Sequence, residues 1–159
     1  MNYTYTQIED RMKTLIKEGI DYLNDRPVKT IPAEMDVNDL SRMVLPQFPA
    51  ILLGLAGMER NPEKDFWNES EQIWHENYLW YAFILTKNFR NEESGFQGDG
   101  IIKGAYEVVS DLVSIFQGVQ LLNGMDTTLV LGAQMMAKSS ATVIYKVDIQ
   151  TGQDRRKAI

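Results

Sequence analysis

The sequence predicts an α+β fold, a mainly antiparallel sheet with two or three helices packed against it. Three stretches carry that expectation. Residues 101–122 place Ile101, Ala105, Val108, Val109, Leu112, Ile115, Phe116 and Val119 on one helical face, with Lys103, Glu107, Asp111 and Gln117 opposite. Residues 78–89 are apolar on both faces over their first half: Leu79, Tyr81, Phe83 and Leu85 alternate with Tyr78, Trp80, Ala82 and Ile84. That is the pattern of a central strand. Residues 141–150 alternate cleanly, Val143, Tyr145, Val147 and Ile149 inward against Thr142, Lys146, Asp148 and Gln150 outward, as a half-buried antiparallel strand does. A helix with so broad an apolar stripe needs a broad partner, and β-like runs flank it on both sides.

Taken in order, the chain opens with Thr6-Gln7-Ile8-Glu9, which has the form of a capping box, followed by a stripe of Ile8, Met12, Leu15 and Ile16. Gly19 is a plausible stop for this first helix, and Arg26-Pro27 breaks the chain. Residues 28–33 read as a short strand that Pro32 confines to an edge. Asp36 is an N-cap candidate for a short helix that must end before Pro46. The run 48–56, bounded by proline and glycine, reads as a strand buried on both faces or against a neighbouring subunit.

Residues 59–72 are polar, contain Asn61-Pro62, and read as a long excursion between strands. Phe66, Trp67 and Trp74 lie in or beside it, either as a satellite core or as contact anchors for a partner. After a glycine-rich loop over 91–100, the helix of 101–122 takes Asp99 as its cap and Asn123-Gly124 as its exit. Residues 127–136 read as a strand with Gly132 as a bulge or bend. The domain is expected over 1–152, with 153–159, containing Arg155-Arg156-Lys157, as a mobile basic tail.

With 159 residues the chain is long enough for a self-sufficient core. It has no cysteine, so disulfides and cysteine metal clusters are excluded. Its net charge of −6 argues against a general nucleic-acid binder, since neutralising phosphate needs clustered Lys and Arg. No apolar run is long enough to cross a bilayer, and the start, Met1-Asn2-Tyr3-Thr4-Tyr5, does not look like a signal peptide.

No catalytic motif is found. His75 is the single histidine; with Glu71 and Glu76 nearby it is a weak metal candidate, and a surface or partly packed histidine is the better reading. Gly95-Phe96-Gln97-Gly98-Asp99-Gly100 precedes a helix but fits neither dinucleotide nor P-loop spacing, and Asp99 would repel an anion. No catalytic, cofactor or metal residue is therefore assigned, and neither an enzyme activity nor a cofactor is expected.

The order of segments carries a resemblance. Ile8-Glu9-Asp10 in the first helix leads to Val28-Lys29-Thr30-Ile31, then to Leu45-Pro46-Gln47-Phe48-Pro49-Ala50-Ile51-Leu52-Leu53. Gly104-Ala105-Tyr106-Glu107-Val108 opens the long helix, and Ser140-Ala141-Thr142-Val143-Ile144-Tyr145 opens the final strand. In these pieces, from about residue 6 to 150, the chain resembles the tail-terminator proteins of Mu-like contractile-tailed phages and prophages. The resemblance implies a structural virion protein without catalysis, assembled in the bacterial cytoplasm as a homo-oligomeric ring, a hexamer. Its implied partners are the tail-tube protein, whose polymerisation it stops, and a head-connector or completion protein. DNA would pass through the ring without being specifically bound, and no membrane is involved. Two other classes stay open: another neck, completion or capping protein of a phage or contractile injection particle, and a small-ligand binder or enzyme using the 95–104 loop with His75.

Overall fold

The computed structural model describes residues 2–31, 39, 47–87, 97, 103–138 and 142–159. Within them the fold is α+β, as the sequence predicts. Helix α1 (Tyr5–Gly19) and a single 3-10 turn (Asp21–Leu23) lead to β1 (Val28–Thr30), β2 (Ala50–Trp67) and β3 (Glu71–Lys87). Helix α2 (Ala105–Phe116), β4 (Leu129–Lys138) and β5 (Thr142–Ala158) follow. The five strands form one sheet in the order β1-β2-β3-β5-β4, parallel only between β1 and β2. Apart from Asp39 and Gln97, the expected helix at Asp36 and the glycine-rich loop 91–100 lie outside the described residues, as do residues 101 and 102 of the expected 101–122 helix.

Helix α1 begins two residues earlier than the pattern suggests. Thr4 is the N-cap: its hydroxyl accepts from the Gln7 amide at 3.2 Å, and the Gln7 side chain accepts from the Thr4 amide at 2.8 Å. Glutamine at the third position thus closes the box that Glu9 was expected to close. The buried face is Ile8, Met12 and Ile16. Helix α2 buries Ala105, Val108, Leu112 and Phe116, the stripe read from the sequence. It starts at Gly104 and stops at Gln117, well short of Asn123. The reason is Gly118, whose φ of 76° turns the backbone into the left-handed region that ends helices. Residues 119–128 then fold back on themselves, with Thr128 and Val119 bonded at 2.7 Å and Gln120 bridged to Thr127.

Both helices lie on one face of the sheet. There they close over Ile51 and Leu53 of β2, Tyr78, Trp80, Ala82 and Ile84 of β3, and Val147 and Ile149 of β5. The other face holds a smaller apolar cluster of Ala50, Leu52, Phe83, Leu85 and Ile144. Strands β2 and β3 are therefore buried on both sides near their paired ends at Ala50 and Leu85, as their unbroken apolar runs require.

Two departures from the sequence reading shape the rest of the molecule. Residues 59–72 are not an excursion: β2 runs through to Trp67, turns, and returns as β3 from Glu71. Residues 153–158, expected as part of a mobile tail, continue β5 and pair with Glu71–Glu76 of β3. Because β1 pairs only with residues 51–53 and β4 only with residues 143–150, these three strands project beyond the rest as an arm.

Candidate functional site: the arm and the groove at its base

The arm turns at Asn68. Its side-chain oxygen accepts from the amides of Ser70 at 2.8 Å and Glu71 at 2.7 Å, while its own amide bonds the Glu71 carbonyl at 3.0 Å. This is the local turn that asparagine favours. The last residue joins the same turn, the Ile159 amide donating to the Ser70 carbonyl at 3.0 Å. Asn2 holds the end of β5 from outside: its side-chain amide donates to the Arg156 carbonyl at 2.8 Å and accepts from the Arg156 amide at 3.0 Å. A strand neighbour would make the same two bonds, which is why the basic segment is ordered.

The turn presents two of the three aromatics singled out in the sequence. Phe66 is 53% exposed and Trp67 is 64% exposed, with Phe66 opposite Ile73 and Trp67 opposite Gln72. Consecutive residues of a strand face opposite ways, so the pair offers apolar surface on both sides of the tip. Trp74 is not with them. It is part-buried, and its indole donates to Glu76 Oε1 at 2.9 Å. It belongs to the wall of the arm and leaves the tip to Phe66 and Trp67.

Below the tip, two polar networks stiffen the arm, one on each face. On the helix side, Glu76 accepts from the Tyr78 hydroxyl at 2.6 Å, from Trp74, and from Arg155 at 3.0 Å. Gln153 in turn donates to the Tyr78 hydroxyl at 2.8 Å and to the Tyr3 carbonyl at 2.9 Å. Burial works to raise the Glu76 carboxyl, but the bonds from Tyr78, Trp74 and Arg155 outweigh it and hold the group below its ordinary value. Burial, reinforced by the bond to Glu76, pushes Tyr78 up to about 12.

A carboxyl held down in this way adds stability that is complete above its unfolded value of 4.5 and drains away as pH falls through the lowered one. Acidification below pH 4.5 is therefore expected to speed amide exchange in residues 71–78 and 151–158 before the rest of the sheet opens. Glu76→Gln should flatten that dependence. An unchanged pH profile in the variant would show that the network does not hold the arm.

On the opposite face sits His75, expected from the sequence as a surface or partly packed histidine. It is 1% exposed. Nδ1 faces Asp154 Oδ1 at 2.8 Å and Nε2 faces Asp126 Oδ2 at 3.0 Å. The two acids lie on opposite ring nitrogens, not around a common point. Among the described residues, no group of three or more His, Asp and Glu is arranged to hold a metal ion. Gly152 makes the close approach possible: a Cβ there would lie 2.8 Å from the Glu76 carbonyl and 2.8 Å from Asp126 Oδ2. Nothing in the local pattern pointed to this cluster, because Asp126 and Asp154 come from segments remote in the chain.

Where the arm meets the body, the sheet carries an open groove of about 370 Å³. Leu79 and Leu131 supply its apolar lining beside Gly57, and Glu59, Asn77 and Gln150 its polar rim. Leu131 is 56% exposed and Met58 46% exposed, and Leu129 and Met135 of β4 are also exposed. Leu131 is the extra residue between Val130 and Gly132 where the β4–β5 register shifts, so the bulge expected at Gly132 is present and turns a leucine outward. The arrangement provides apolar contact surface, with no convergence of nucleophile, base and oxyanion donors among the described residues. None of their helices is long and apolar enough to cross a membrane.

The chain matches the family described as Bacteriophage Mu, Gp37 over residues 4–145. No curated protein matches.

Proposed function

Since the chain belongs to the bacteriophage Mu Gp37 family, we propose that it is a structural protein of the virion, the tail terminator. In this reading it caps the completed tail tube as a ring of identical subunits, stops tube polymerisation, and offers its other side to the head connector. The observation that carries the reading is the presence of two separate apolar sites on one stiff sheet. Phe66 and Trp67 are exposed at the tip of the arm, and Leu129 and Leu131 at its base.

Exposed apolar surface of this kind marks an interaction site. When one molecule carries two different sticky sites, head-to-tail contacts either close into a ring or run on as a fibre. A cap with a fixed number of subunits requires the closed solution. The net charge of −6 suits a ring through which DNA passes, because it opposes adhesion of phosphate to the channel wall.

Light scattering on the pure chain, alone and mixed with tail tubes, tests the assembly. A mass near six subunits, or a ring that forms on the tubes, is expected. Deleting the gene in the phage is expected to give overlong tails. Tails of normal length that fail to join heads would instead make it a completion protein. A strictly monomeric chain that ignores tubes would overturn the proposal.

A further inference from the structure

The arm tip and the groove at the arm's base are matched to each other, and the match can only be made between copies. We propose that the Phe66–Trp67 tip of one subunit seats in the Leu79–Leu131 groove of the next, with Trp67 as the inserted side chain. This rests on the ring reading and names the contact that would build it.

The tip is an apolar wedge with little competing function: neither aromatic side chain is drawn into the networks of the arm, and both are more than half exposed. The groove has room for a large aromatic side chain, an apolar floor, and a rim of Asn77, Gln150 and Glu59 able to meet polar edges such as an indole N–H. Aromatic side chains seated in such pockets are the usual energetic centres of protein interfaces.

The tip of a subunit cannot reach its own groove. Trp67 is opposite Gln72, and the groove lies at Tyr78 and Leu79 on the same strand. Six strand steps separate them, about 20 Å of extended backbone. Three paired strands span that distance, so the tip cannot fold back. The occupant is a second copy, and the contact is head-to-tail by construction, since tip and groove are different surfaces.

The chain has no cysteine, so single thiols report this contact without background. Glu69→Cys places one at the turn, and Glu59→Cys one on the groove rim. A bismaleimide too short to span 20 Å is then added. The double variant is expected to give a ladder of covalent species up to the closed ring. A mixture of the two single variants should give covalent dimers and nothing larger, and each single variant alone should give none. Adding Trp67→Ala to the double variant should cut the yield about tenfold or more.

Dimers from Glu69→Cys alone would mean tip-to-tip pairing and would overturn the inference. So would an absence of crosslinks in a chain whose native mass is that of a ring, which leaves the ring reading standing. An absence of crosslinks in a chain that is monomeric with and without tubes removes both. A Glu69→Cys adduct formed only with the tube protein would assign the tip to the tube and overturn the inference as well.

Discussion

The Phe66→Ala, Trp67→Ala chain is expected to sediment as a monomer under conditions where the parent forms rings, and to melt within a degree or two of it. The two halves of that result have separate causes. Both side chains stand largely in solvent in the isolated subunit, so removing them takes little from the fold. At an interface, an aromatic anchor in a pocket is worth about 2 kcal/mol or more. Losing two such anchors weakens each contact by roughly a thousandfold. A ring multiplies the loss, because every subunit gives up the same contact twice, once as donor of the tip and once as owner of an empty groove. Sedimentation velocity beside thermal unfolding gives both numbers. A ring of unchanged mass would discard the tip as an anchor. A fall in melting temperature of ten degrees would show that the aromatics hold the arm together.

Trp80→Ala should do the reverse, crippling the fold wherever the subunit is. Trp80 is fully buried at the centre of β3, among the side chains that both helices cover. Truncating a core tryptophan costs about 3–5 kcal/mol, against a total of about 5–15 kcal/mol for a domain. The urea midpoint should drop steeply with little change in slope, since the surface exposed on unfolding is nearly the same. Among the described residues its indole N–H is buried without a hydrogen-bond partner. Trp80→Phe removes that unsatisfied donor and keeps most of the ring, so its cost should be well under half that of the alanine. Equal losses in the two variants would mean that the indole nitrogen has a role the fold does not reveal.

What the residues disclosed follows from where burial decides the structure. The stripe of Val108, Leu112 and Phe116 and the double-faced run from Tyr78 to Leu85 are legible because each position has one side to hide. The arm was not legible, and for a physical reason. From Glu59 to Asp65 the strand β2 is mostly exposed, so no alternation is imposed on it. What makes it a strand is backbone pairing with β3, which leaves no mark on side-chain hydropathy, while Asn61-Pro62 imitates a turn. The same holds for residues 153–158, where β3 on one side and the Asn2 side chain on the other fix a segment whose charges suggest a loose end. Phe66 and Trp67 could be picked out because large aromatics are conspicuous in a polar run. The groove could not, being assembled from four strands.

The outer side of β2 along the arm, residues 55–67, meets no strand among the described residues. A bare ladder of that kind invites any passing extended peptide to join it. The chain guards this edge through its own irregularities. Pro62 has no amide to offer, Glu59, Glu63 and Lys64 place charge along the rim, and the break in register between Asn61 and Phe66 spoils the straight template. Features that look like flaws in a strand thus keep an open edge from recruiting strangers.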